Sequence, residues 1–445
     1  MKTRAILLAA GKGTRMKSAL PKVLHSLCGR PLLWYVVTAL RHAGIDEIIV
    51  VANEELQGKL DAFDVRTVLQ KEQLGTGHAV KIALDAMEQD ADGKIVVASG
   101  DMPLVPGALY AEVLAALARD VAMVLMTAKM PMPSNFGRII RKDAAIEQIV
   151  EVRDATSEQL AVDEMNAGVY AFAESALRQV VEQLNNTNAQ GEYYLTDAVA
   201  HFVRDRKTVL PLLVEDHRHV LGINDRVELA DAHAQLNARL CHSHMLAGVT
   251  IIDPLTTYLE PELQIGADTV IYPNTHIGRL SDIGRGCVVG PNTRISASVL
   301  DDDVHVRESV IFDSHIGSGT TIGPFAHIRG GADLGQNVRV GNFVEIKKSR
   351  LAKGAKASHL SYLGDATIGE DTNIGAGTIT CNYDGQNKHQ TIIGKNVRIG
   401  SNTSIIAPRT IGDGALTGAS SVVTHDIAPG ERVAGNPARP LGKRR

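Results

Sequence analysis

The stretch IGADTVIYPNTHIGRLSDIGRGCVVGPNTR, Ile265 to Arg294, repeats one short phrase without a break. An Ile, Leu or Val followed by Gly or another small residue returns every six positions. The phrase resumes downstream as IGSGTT, IGPFAH, LGQNVR, VGNFVE, IGEDTN, IGAGTI, IGKNVR, IGSNTS and IGDGAL. A six-residue period sustained for about 150 residues is the pattern of a parallel β-helix, with three hexads to each triangular coil. The aliphatic residue points inward beside a corner, and the small residue permits the tight turn. Each coil buries its core only against its neighbours, so the coils must stack to be stable. The rhythm lapses at Lys347–Gly364 and at Thr380–Thr391. Both lapses are expected to be loops, which is where a solenoid carries function.

Upstream of residue 220 the texture differs. Short β-branched runs at Ala5–Ala9, Ile48–Val51, Ile95–Ser99, Ala122–Thr127 and Val169–Phe172 alternate with helical stretches at Pro31–Ala43, Gly77–Met87 and Gly107–Ala118. This alternation predicts an α/β doubly wound, Rossmann-like domain on a mainly parallel sheet. Ligands of such sheets bind beyond the carboxyl ends of the strands, where both Gly11 and Gly100-Asp101 fall. Residues 224–247 lack Gly and Pro, open on Asn224-Asp225 and stop at Gly248, which predicts one connecting helix. The expected organisation is therefore a domain at 1–225, a linker helix at 226–247 and the β-helix at 248–445.

With 445 residues, the chain is too long for one core, which agrees with that division. A net charge of -4 gives no reason to expect nucleic acid or a membrane surface as partner. The four cysteines, Cys28, Cys241, Cys287 and Cys381, form no C-x-x-C pair, which argues against a disulfide framework and a zinc site. The apolar run at the start is too short for a signal peptide, and no stretch approaches a membrane span. The expected location is cytoplasmic.

The segment LLAAGKGTRMKSALPK, Leu7–Lys22, looks like a phosphate loop. An ATP-type P-loop needs G-x-x-x-x-G-K-[ST], and a dinucleotide fingerprint needs a third glycine where Met16 stands. Neither fits. What survives is a glycine turn able to face an anion, with Arg15 and Lys22 as cations; a plain strand-to-helix turn with surface cations accounts for it equally well.

Combined with motifs further along the chain, the segment resembles the signature of sugar-1-phosphate nucleotidyltransferases. Gln70, Gln73-Leu74-Gly75-Thr76-Gly77, Gly100-Asp101, Gly137-Arg138, Glu151, Asn166-Ala167-Gly168 and Gly222-Ile223-Asn224 come in that family's order. The resemblance implies that Leu8, Ala9, Ala10, Gly11, Gln70, Gly75, Thr76, Ser99 and Gly100 hold the uridine nucleotide. It implies that Gly137, Glu151 and Asn166 hold an N-acetylated sugar, and that Asp101 and Asn224 bind Mg²⁺. Arg15 and Lys22 would neutralise phosphate charge during transfer, where positioning and charge dominate over covalent chemistry.

In the second half, EIKKSRL, HLSYLGD, NIGAGTITCNYDG and IGSN resemble the carboxyl-terminal domain of bifunctional N-acetylglucosamine-1-phosphate uridyltransferase/glucosamine-1-phosphate acetyltransferases of bacteria. The paired architecture extends this resemblance over essentially the whole chain. It implies a left-handed β-helix, a homotrimer, acetyl-CoA and UTP as co-substrates, and a place in the supply of peptidoglycan and lipopolysaccharide precursors. His359 would be the general base for the glucosamine amine, since a pKa near 6.5 suits that task. Arg329 and Lys347 would clamp the sugar phosphate with Lys388 nearby, and Tyr362 and Asn373 would orient the sugar. Ala376, Asn382, Tyr383, Ser401 and Ala419 would contact acetyl-CoA. The tail GNPARPLGKRR departs from the usual forms and leaves Asn436, Arg439 or neither to meet the CoA phosphates; of the two, Arg439 is the expected contact. Arg329-Gly330-Gly331 stands where the family usually has Arg-Pro-Gly. Cys381 beside Asn382 is read as packing, because amine acetylation needs no acyl-enzyme.

Two alternatives remain open at the level of sequence: a nucleotidyltransferase whose β-helix only assembles or regulates it, and a trimeric scaffold or sugar-nucleotide sensor. His359 with Asn382-Tyr383 speaks against the first. The two constellations fall in separate halves, which predicts independent sites.

Overall fold

The computed structural model describes residues 2–441. By internal contacts the chain forms two units, Met1–Ala234 and Gln235–Arg445, with the boundary inside one long helix, Arg226–Leu246. Asp225 starts that helix: its carboxylate accepts from the amides of Val227 and Glu228, both at 2.9 Å, satisfying donors that a helix start leaves unpaired.

In the first unit we number the elements β1 (Thr3–Leu8), α1 (Leu32–His42), β2 (Glu47–Ala52), β3 (Arg66–Leu69), α2 (Thr76–Asp85), β4 (Lys94–Ser99), α3 (Gly107–Ala116), β5 (Val121–Lys129), β6 (Arg138–Lys142), β7 (Ala145–Val150), β8 (Glu164–Ala173), α4 (Glu174–Val181), α5 (Ala198–Arg204) and β9 (Thr208–Val214). The sheet order is β9-β5-β8-β4-β1-β2-β3, with the β6–β7 hairpin attached to β8. Strands β4, β1, β2 and β3 are parallel neighbours, as the alternating pattern predicts. Strand β8 departs from it by running antiparallel to both β4 and β5. Its residues are buried almost throughout, so no alternation distinguishes its direction. Two hydrophobic layers cover the sheet, one centred on Leu7, Val50, Val96 and Val124, the other on Ile6, Ile49, Val97 and Phe172.

In the second unit three sheets of parallel strands rise side by side, one strand per sheet in each coil. Inward columns such as Ile271, Val289, Val306 and Ile322 are at most 2% exposed, so one continuous core runs along the axis. Where the second column requires an inward residue at position 380 the chain supplies Thr380; its hydroxyl donates to the Gly364 carbonyl at 3.0 Å and accepts from the Gly364 amide at 2.8 Å, so the buried oxygen is satisfied.

The two lapses in the hexad rhythm differ. Lys347–Gly364 is not a loop. Glu345 pairs with Tyr362 and Arg339 with Lys356, so the coil continues in register at an advance of 17 residues. Leu351, Ala355, Ala357 and Leu363 fill the inward positions and are fully buried. Alanine there hides the aliphatic rhythm, while the basic residues all occupy outward places. The second lapse is a true insertion, because Thr367 pairs with Ile392, 25 residues on.

Candidate active sites

In the first unit a cavity of about 660 Å³ opens beyond the carboxyl ends of β1 and β4. Leu8, Ala9, Ala10, Gly11, Lys22, Gln70, Gly75, Thr76, Ser99 and Asp101 line it together. The turn after β1 is held by the amide of Ala9, which donates to Val51 O at 2.9 Å, and by Asn53, whose side chain donates to Ala10 O at 3.3 Å. Gly13 has φ +58°, and a Cβ there would come within 2.9 Å of Lys22 Cβ, so glycine lets the chain fold back to deliver Lys22. The Lys22 ammonium is bonded to an Asp101 carboxylate oxygen and lies 3.3 Å from Asn224 Oδ1. Two oxygens from distant segments thus converge on one cation. The Ile223 amide donates to Asp101 O at 2.9 Å, which fixes that convergence through the backbone.

On the other side Gln70, 3% exposed, donates to Gly75 O at 3.3 Å and meets His78 Nδ1 at 3.1 Å. Gly75 has φ +110°, and an added Cβ would lie 2.6 Å from Tyr193 O. That close approach permits the pairing of Gly77 N with Tyr193 O at 2.7 Å and of Tyr193 N with Leu74 O at 2.8 Å. Thr76 Oγ1 accepts from Leu195 N at 3.0 Å, so its hydroxyl is fixed beside the cavity. The segment continues to Thr196, whose hydroxyl donates to Glu151 at 3.2 Å. Glu151 belongs to a second group: a Cβ on Gly137 would stand 3.4 Å from its carboxylate, and Asn166 N donates to Gly137 O at 2.8 Å. The Asn166 side chain bridges Tyr170 Oη at 2.7 Å and Gly168 N at 3.0 Å.

In the second unit the Arg329 guanidinium donates to Glu345 at 2.7 Å, and Arg329 pairs in register with Lys347. The Lys347 amine is held below the usual lysine range, chiefly by Lys388 beside it and then by Arg329 and Lys348. Crowded like charges of this kind mark a site built for an anion. His359 lies in register with Asn342, and its Nδ1 is 2.7 Å from Asn342 Oδ1. With that oxygen as acceptor, Nδ1 carries the proton and the Nε2 lone pair is left available. Tyr362 begins the next strand beside Glu345, whose end at Lys347 pairs with Gly364. His359 and the cation group therefore flank the same short strands. The inserted segment is tied both to the preceding coil and to itself: Asn382, 5% exposed, donates to Asp365 at 2.6 Å, and His389 bonds Asp384 at 2.7 Å. Tyr383 is exposed and bridges to Lys388. Burial pushes the Cys381 thiol up, in keeping with packing rather than nucleophilic chemistry.

Residues 5–201 match the model of the MobA-like NTP transferase domain, 256–342 that of a GMPPB C-terminal domain, and 390–425 that of the bacterial transferase hexapeptide (six repeats). The chain is 46% identical to the bifunctional protein GlmU of Heliobacterium modesticaldum, over 96% of this chain and 94% of that one. The chain belongs to the GlmU family. Identity is 44% to the GlmU of Trichlorobacter lovleyi, over 96% of this chain and 94% of the relative. It is 43% to that of Streptomyces coelicolor, over 96% and 90%.

Not every candidate residue of this GlmU chain falls in the two groups. Arg15 lies exposed on a short turn, Thr14–Met16, and is not among the residues lining the cavity. Asn373 stands on the outer face one coil below His359, between Lys356 and Arg398. Arg439 pairs across from Ala434 and lines a small hollow with Asp426 and Glu431. Ala376, Ser401 and Ala419 occupy one corner: Gly377 N donates to His359 O at 3.3 Å, Asn402 N to Ala376 O at 2.6 Å and Ser420 N to Ser401 O at 2.7 Å. Glu192, which lines the cavity, carries no motif and is invisible to sequence reasoning; its signal is the backbone pairing of Tyr193 with Leu74. Asn342 escapes it too, although it precedes His359 by one coil advance. Among the described residues no helix is long and apolar enough to cross a membrane, and no three His, Cys, Asp or Glu side chains gather as a metal cage.

Proposed function

We infer that this GlmU-family chain acetylates glucosamine-1-phosphate with acetyl-CoA and couples N-acetylglucosamine-1-phosphate to UTP, giving UDP-N-acetylglucosamine and pyrophosphate. The observation that carries this reading is that one chain holds both a Lys22–Asp101–Asn224 cluster in a strand-end cavity and a His359–Asn342 pair beside a crowded cation group.

In uridyl transfer the sugar phosphate oxygen bonds to the α-phosphorus of UTP as the bond to pyrophosphate breaks. Leu8–Gly11, Gln70, Gly75 and Thr76 would hold the nucleotide, Lys22 would meet the phosphates, and Gly137, Glu151 and Asn166 would orient the sugar. Arg15 would reach the phosphates from its exposed turn. Asp101 and Asn224 suit Mg²⁺, because their oxygens already converge on one cation and both are hard donors. Bound there, Mg²⁺ would neutralise triphosphate charge. In acetyl transfer the glucosamine amine attacks the thioester carbonyl and the CoA thiol leaves. His359 Nε2 would take the amine proton, with Arg329, Lys347 and Lys388 on the phosphate and Tyr362 and Asn373 along the sugar. Ala376, Asn382, Tyr383, Ser401, Ala419 and Arg439 stand as candidate contacts for acetyl-CoA.

A homotrimer is part of the proposal. Phe325 and Phe343 are over half exposed and stack at 5.4 Å on the corner that leads to His359, with Leu360 below them. An exposed apolar edge beside an active site suits a subunit contact. A cytoplasmic location is proposed because UTP and acetyl-CoA are produced there.

The test is mass analysis of products from the intact chain given each substrate pair separately, glucosamine-1-phosphate with acetyl-CoA and N-acetylglucosamine-1-phosphate with UTP. UDP-N-acetylglucosamine is expected; absence of thiol release would leave only the nucleotidyltransferase, and absence of pyrophosphate release would remove that as well.

Glu151 supplies a prediction of two opposite signs. Burial raises its carboxyl above the usual range, Thr196 opposes the rise, and Asp197 and Asp154 add to it. The folded pKa exceeds the unfolded one, so the stability this group contributes is complete at acid pH and is lost as pH rises through the folded value. Glu151→Gln is therefore expected to melt higher than the parent at alkaline pH, with the gap closing toward acid pH. The same variant should raise KM for the sugar phosphate about tenfold, since it loses a charged hydrogen-bond acceptor. Calorimetric melting across pH and steady-state kinetics check the two halves.

A further inference from the structure

On the outer face of one sheet of the second unit, side chains stack in a single register column. Lys356 pairs with Asn373, Asn373 with Arg398, Arg398 with Leu416 and Leu416 with Arg432. Lys356, Arg398 and Arg432 are exposed, and none forms an ion pair with a described residue. Nearby carboxylates are occupied by backbone amides: Asp413 accepts from Lys395 N at 2.9 Å and Glu431 from Ala428 N at 2.8 Å.

Three residues after each member of this column the chain turns the corner that bears His359. Lys356 leads to His359, Asn373 to Ala376, Arg398 to Ser401, Leu416 to Ala419 and Arg432 to Gly435. The base thus heads a lane of small side chains running down the axis, and the arginines border that lane. Adjacent coils are spaced by about 4.8 Å, so Arg398 lies roughly 10 Å and Arg432 roughly 19 Å below the coil of His359. A thioester placed at His359 with its pantetheine arm extended along the lane brings the charged end of CoA to that depth.

We propose that Arg398 and Arg432 bind the diphosphate and ribose 3′-phosphate of acetyl-CoA, and so select CoA thioesters over phosphate-free ones. The proposal rests on the acetyltransferase reading. Guanidinium groups suit the task because they offer paired donors to phosphate oxygens and never lose their charge.

The experiment compares acetyl-CoA with S-acetylpantetheine, which lacks the phosphates, in the parent and in Arg398→Gln, Arg432→Gln and the double variant. Each single change is expected to raise KM for acetyl-CoA about tenfold, with kcat and the KM for S-acetylpantetheine unchanged. KM for acetyl-CoA should also lose part of its salt dependence. An unchanged KM for acetyl-CoA, or an equal rise for both donors, overturns the proposal. If the parent releases no thiol from either donor, the acetyltransferase reading itself fails; calorimetric titration of CoA into parent and double variant then decides the role of the arginines separately.

Discussion

Asp101→Asn is expected to lower pyrophosphate release roughly 10³-fold, because the amide keeps the shape of the side chain and removes the charge that gathers cations beside the phosphates. The backbone should hold, since the Ile223 amide bonds to Asp101 O rather than to its side chain. The ion pair with Lys22 is largely buried, the two side chains being 12% and 16% exposed. Removing one partner strands the other charge, at a cost of about 1–3 kcal/mol. The melting temperature of Asp101→Asn should fall accordingly, and adding Lys22→Met should restore part of it while activity stays lost. Acetyl transfer, measured as thiol release from acetyl-CoA, should be unaffected by either change. Pyrophosphate release by Asp101→Asn within tenfold of the parent would remove this residue from the site.

His359→Ala is expected to lower thiol release by about 10²–10⁴, the range general-base catalysis supplies, with pyrophosphate release from N-acetylglucosamine-1-phosphate intact. Because His359 is exposed on the outside of a coil, the substitution leaves no cavity and the melting temperature should hardly move. Asn342→Ala is the sharper probe. It removes the partner at 2.7 Å that fixes which ring nitrogen carries the proton, and should lower kcat with little change in KM. If His359→Ala retained full thiol release, the base would have to be sought among other groups, and Tyr362 would be the next candidate.

Much of this is legible from residue patterns because the two halves encode structure by different periods. The hexad rhythm survives wherever a bulky aliphatic fills the inward place, as at Ile271, Val289 and Ile322. It fades at Ala355 and Ala357, which pack inward equally well but carry no aliphatic signal, and a continuous coil there looks like a basic loop. The cavity residues near β1 and β4 are visible because glycine turns at strand ends are distinctive. Glu192 and Tyr193 are not, since their position depends on backbone pairing with residues 74–77, which no side-chain pattern records. The antiparallel course of β8 is hidden for a related reason: a strand buried on both faces reads the same in either direction.

The coils do not all have the same length. His276 pairs with Arg294, an advance of 18 residues, whereas Asp282 pairs with Val299, an advance of 17. The missing residue falls at the turn around Ala297, which has φ +47°, and the strands on either side keep their inward and outward faces. A deletion inside a strand would instead send every following side chain to the opposite face. A single residue can therefore be gained or lost without inverting the faces only at the edges of the prism, while a change of one whole coil after His359 would only lengthen or shorten the lane below it. Such a solenoid is in effect a ruler, on which the span between a reacting group and a distant charged anchor is set in whole steps by counting turns.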